Sequence, residues 1–191
     1  MRWWVLYARS RQVPASAAAV LAAALAVWYA ARGEGTDPRL PVLALTAAVT
    51  AASIGLDGQD SALDRTAAIR WVLRRTVHVL LIGMGTVSAL LVARVLGADV
   101  GTTALVARNG AGLTGLAAAG AVLCGAHHAW TLPVGWLTLA LFPWALPEGV
   151  DEVLTWLLLP SGTATATWAA VVLAVTGTVA YAVVGPRRQL R

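Results

Sequence analysis

The sequence predicts an all-α, polytopic membrane protein with six transmembrane helices. Three observations predict it: the scarcity of charge, the length of the uncharged runs, and the clustering of the charges at their ends. Of 191 residues, 59% are hydrophobic and 12% charged, which leaves too little polar surface to meet water. The spans are expected at 14–31, 40–56, 76–97, 109–127, 130–146 and 163–184 of a single domain covering 1–191. The stretch Asn109 to Pro147 carries no formal charge. At about 1.5 Å per residue it is long enough to cross a roughly 30 Å hydrocarbon core twice.

The first element, residues 1–12 (MRWWVLYARSRQ), sets Trp3, Trp4 and Tyr7 beside Arg2, Arg9 and Arg11. That pattern suits a helix lying in the membrane interface or an aromatic, basic start to span one. Further spans follow the first directly, which argues against a cleavable signal peptide. Between spans two and three, the loop 57–75 contains an S-x-x-D capping box at Ser61 and Asp64, with Arg70, Arg74 and Arg75 toward the end of the helix it starts. Both features agree with the helix dipole. Spans three and four offer Gly83, Gly85, Gly110, Gly112, Gly115 and Gly120 as points of close helix approach. Cys124, the single cysteine, falls inside span four as a small packing residue and allows no intramolecular disulfide. The outer loop 147–162 has room for a half-helix before Pro160, Ser161 and Gly162 break the chain.

Orientation rests on arginine, because the chain has no lysine. With six spans, one side holds Arg2, Arg9, Arg11, Arg65, Arg70, Arg74, Arg75, Arg187, Arg188 and Arg191. The other side holds Arg32, Arg39, Arg94 and Arg108, diluted by acidic residues. The positive-inside rule then puts both termini in the cytoplasm of a bacterial plasma membrane. The net charge of +5 reads as membrane topology and contact with anionic lipid, not as a nucleic-acid surface. The spans are expected to hold no charge, which disfavours coupling by a carboxylate relay. A fourth span starting near Thr103 instead of Asn109 would bring Arg108 into the bilayer; otherwise it snorkels outward. His78, His127 and His128 lie near the cytoplasmic ends of spans as solvated anchors, and the tryptophans from Trp130 to Trp168 mark interfaces and packing.

With LDRTAAIRW, RNGAGLTGL and PSGTATATW in place, the chain resembles the permease subunit of ABC transporters of the ABC-2 (type V exporter) class, in a small actinobacterial form. The resemblance covers nearly the whole architecture. It implies that the loop helix is a coupling helix docking on a P-loop ATPase through Asp57, Asp60, Leu63, Asp64, Arg65, Ile69 and Arg70. It also implies a re-entrant outer helix near Val153 to Pro160, and pairing with a second permease chain, identical or related. Alternating access between the two would carry an amphipathic or hydrophobic substrate past Thr46, Thr50, Ser53, Thr131, Trp136 and Thr138. The outer loops are shorter than in larger members and leave no room for a gating ectodomain. No G-x-x-x-x-G-K motif is present, so ATP and magnesium are expected on the partner and no catalytic residue, metal site or cofactor in this chain.

Two other readings stay open. Asp57, Asp60 and Asp64 have the D-x-x-D-x-x-x-D spacing of UbiA-type intramembrane prenyltransferases, where carboxylates hold magnesium and a diphosphate. The chain departs from that family at Leu56, where the family has asparagine; it also lacks a second aspartate-rich loop and is about three spans short by the roughly 20 residues each span needs. The remaining possibility is an accessory membrane protein with no path of its own.

Overall fold

A computed structural model of the protein describes residues 25, 39–56, 71–142 and 147–187. Among the described residues the structure is all-helical, with no strand. The expected helices at 1–12 and 14–31, the loop 57–70 and residues 143–146 lie outside them, apart from Leu25.

Helix α1 (Leu40–Ser53) has a proline in its first turn, where the missing N–H removes no helical bond, and passes into a short 3-10 turn at Ile54–Leu56. Helix α2 (Trp71–Val95) begins five residues before the expected span. A charge cluster is not a helix breaker, so Trp71 to Arg75 continue the helix instead of belonging to the loop. It ends in a Schellman motif: Gly97 has φ +94°, its N–H bonds Arg94 O, and the Ala98 N–H bonds Ala93 O.

Helix α3 (Thr103–Leu123) corrects the expected 109–127 span by starting almost two turns earlier. The Thr102 side chain accepts a hydrogen bond from Leu105 N at 3.2 Å and so fixes the start. The shift brings Arg108 inside the helix, against the expectation of charge-free spans. Cys124 is likewise corrected from packing residue to exposed C-cap of α3. His127 and His128 belong to a 3-10 turn, Ala126–His128, that follows Gly125.

Helix α4 (Thr131–Leu141) is only 11 residues long, about 16 Å, against the expected 130–146. Phe142 is extended (ψ 135°), as the residue before a proline prefers. Helix α5 (Glu148–Leu154) forms the half-helix, but one turn and more before the expected 153–160. The residues up to Pro160 form turns instead. Helix α6 (Ala164–Val184) matches its expected span and stops at Gly185, φ +77°, followed by Pro186.

The helices pack around α3. It touches α1, α2, α4 and, most extensively, α6, and its residues are buried almost without interruption from Arg108 to Ala121. The crossing with α6 is a backbone-on-backbone contact. A Cβ on Gly115 would collide with Leu173 O, and one on Gly177 with Gly115 O. Elsewhere on α3, Gly110 admits Val87, Gly112 admits the Trp156 ring, and a Cβ on Gly120 would lie 2.6 Å from Ala129 O. Gly83 faces Thr114, whereas Gly85 meets open space. Close approach of this kind is how helices associate where lipid offers no hydrophobic drive.

The outer surface is apolar. Leu80, Leu81 and Met84 on α2 and Val171, Val175, Val179 and Val183 on α6 are exposed, a pattern disfavoured against water. Two helices, α2 and α6, are long and apolar enough to cross a membrane.

Because the α3–α6 contact leaves no room for a side chain, Gly177→Val is expected to destabilise the bundle by about 2 kcal/mol or more. Gly85→Ala should be neutral or slightly stabilising, by up to about 1 kcal/mol. Thermal melts of the purified protein in detergent, followed by circular dichroism, measure both.

Candidate functional site

Burial of a positive charge marks the most constrained place in the structure. Arg108 is 9% exposed and its neighbour Asn109 fully buried, both in the second turn of α3. The guanidinium points at the chain that follows α5. Nη1 donates to Pro160 O at 2.8 Å, and Nη2 donates to Leu159 O at 2.7 Å and to Trp156 O at 3.1 Å. Nε donates to Asn109 Oδ1 at 3.0 Å, and Asn109 Nδ2 donates to Leu157 O at 2.8 Å. From α4, Trp136 Nε1 donates to Leu154 O at 3.1 Å.

These carbonyls belong to a run of turns after a short helix, where few backbone N–H groups reach them; Pro160 O also accepts from Thr163 N at 3.1 Å. Arginine fits because its five N–H donors spread in a plane, and four bonds are made here. No carboxylate is among these acceptors. The charge is offset by the dipoles of the carbonyls it bonds. Trp156, fully buried, locks the same segment by laying its ring in the space left by Gly112, one turn beyond Arg108. Its Nε1 is buried with no hydrogen-bond partner, so its ring packing holds it in place.

Arginines finish two other helices at the opposite end of the bundle. Arg187 Nη1 donates to Leu123 O at 3.1 Å, beside the Arg187 N–H bond to Ala121 O, at the end of α3. Arg75 Nη1 reaches Ala182 O at 3.4 Å, at the end of α6. Tyr181, buried in the same turn of α6, donates from Oη to Leu56 O at 3.0 Å. Both chain segments flanking 57–70 are thus tied to the last turns of α6.

The residues expected to line a path do not converge. Thr50 and Ser53 share a cleft of about 600 Å³ with Ala126, His127 and Trp130. Ser53 donates to Thr50 O at 2.7 Å, and Thr50 Oγ1 is buried without a partner. Thr46 is buried and donates to Val42 O of its own helix, and Thr131 donates to His128 O. Thr138 is exposed and donates to Val134 O, while Trp136 belongs to the clamp on α5. Asp57, Asp60, Leu63, Asp64, Arg65, Ile69 and Arg70 lie outside the described residues. Among the described residues no group of three or more His, Cys, Asp or Glu side chains could hold a metal. Sequence reasoning reached Arg108 only as an alternative span start and missed its role. The signal was an arginine and asparagine pair opening an otherwise small and apolar helix.

Arg108→Leu should cost about 3 kcal/mol or more, since it strands several carbonyls at once. Arg108→Lys should recover only part of this, because an ammonium lacks the planar fork. Detergent melts give the stability, and faster amide exchange confined at first to 154–163 would locate the damage.

No protein-family model, curated protein or solved structure matches this chain.

Proposed function

We propose that the chain is the membrane-spanning permease subunit of an ABC-2-type transporter, driven by a separate P-loop ATPase and exporting an amphipathic or hydrophobic substrate. On this reading it sits in the bacterial plasma membrane with six spans and both termini in the cytoplasm. It pairs with a second permease chain, and ATP and magnesium are held by the ATPase.

The observation that carries the reading is the anchoring of the 57–70 loop. Leu56 before it and Arg75 after it are both bonded to the last turns of α6. A loop meant to receive a push from a docked partner needs fixed ends, since mobile ends would absorb the displacement. On this reading the arginines of the 57–70 loop, with Arg74, Arg75, Arg187, Arg188 and Arg191, belong to the cytoplasmic side, and Arg32, Arg39, Arg94 and Arg108 to the outer one. The half-helix α5, broken before the last long helix, occupies the outer end as a re-entrant element would.

Affinity purification of the tagged chain from its native membrane tests this, with mass spectrometry of what accompanies it. A P-loop ATPase is expected with the wild type and lost in the Asp64→Ala, Arg65→Ala double variant. Recovery without any ATPase, but with bound prenyl lipid, would sink the transporter reading and direct attention to magnesium-dependent transfer at Asp57, Asp60 and Asp64.

A further inference from the structure

Between α2, α3 and α6 runs an open groove of about 350 Å³ that the transport reading does not use. Leu80 and Met84 of α2 and Ala174 and Thr178 of α6 form its walls, and Gly83 and Ala111 lie at its floor. Among the described residues no charged one lines it. Its lining is almost wholly apolar, which suits an acyl chain of the surrounding bilayer.

A positive charge sits at one mouth. Arg75, Val79 and Gly83 recur every four residues on α2, and Ala174, Thr178 and Ala182 do so on α6, so Arg75 and Ala182 stand one turn beyond the groove on the same faces. The guanidinium lies across Gly185, where a Cβ would come within 2.7 Å of Cζ. Its bond to Ala182 O, at 3.4 Å, engages one of five donors. Arg74, exposed and stacked 5.9 Å from the Trp71 ring centroid, adds charge at the same end. The nearest threonine on α6, Thr176, donates to Val172 O of its own helix. Thr178 makes no such bond among the described residues and keeps its hydroxyl available at the groove.

We propose that this groove is a binding site for an anionic phospholipid of the bilayer, with one acyl chain in the trough and the phosphate on Arg75. Thr178 is placed to donate to an ester carbonyl between them. The acyl chain supplies the shape match and the net charge of the lipid supplies selectivity, since a guanidinium with spare donors favours a net negative headgroup. The site requires only that the bundle lies in a bilayer and stands whether or not substrate is transported.

Native mass spectrometry of the purified full-length protein, titrated with phosphatidylglycerol or phosphatidylcholine of identical acyl chains, tests the assignment. One phosphatidylglycerol is expected to bind at least about fivefold more tightly than phosphatidylcholine. Arg75→Gln should erase that preference while leaving weak binding of both. Thr178→Phe, which fills the trough, should remove tight binding of either lipid. Met84→Trp, at an exposed lip, serves the same purpose should Thr178→Phe fail to fold by circular dichroism. Equal retention of both lipids by the wild type overturns the proposal. An undiminished preference in Arg75→Gln overturns the headgroup placement, and tight binding that survives the filled groove overturns the acyl-chain site.

Discussion

Helices and turns that stop leave carbonyls without a following turn to bond, and this protein meets several of them with arginine. Arg108 serves the segment after α5, Arg187 the end of α3 and Arg75 the end of α6. In each case a delocalised, weakly hydrated cation meets the negative end of a helix or a turn, where the backbone itself supplies the compensating dipoles. The three contacts differ in depth. Arg75 and Arg187 work at a bundle end, whereas Arg108 is enclosed and bonds several acceptors at once.

Helix α3 can be central because it is almost bare of bulk. Gly112 makes room for Trp156, Gly115 for α6 and Gly120 for the chain leading into α4. The same thinness has a second effect. Where α2 and α6 diverge above α3, small residues leave the floor low and a groove opens toward the apolar exterior, with Arg75 at its end. Packing on one face of α3 and an apolar trough on the other are thus products of a single compositional choice.

The two ends of the molecule are joined through α6. Its last turns hold the segments flanking 57–70, by way of Tyr181 and the Ala182 carbonyl. Its middle presses on α3 at Gly115, and α3 in turn grips the α5 segment through Arg108 and Asn109. Close-packed elements of this kind transmit displacement poorly by bending and well by moving together.

Helix content, the start of α1, the whole of α6 and the glycine contacts of α3 could be read directly from the chain, because composition and local breakers determine them. Charge clusters were poorer guides. Helix α2 runs through Trp71 to Arg75 and α3 runs through Arg108, since arginine forms helix well and only capping or glycine stops it. The sequence by itself therefore determined an apolar helical protein with a basic and an acidic side. Only the tertiary structure decided which arginines meet solvent and which meet carbonyls, because their acceptors lie on chain 48 to 107 residues away. Backbone carbonyls carry no residue-specific signal, so no reading of side chains along the sequence could have found them.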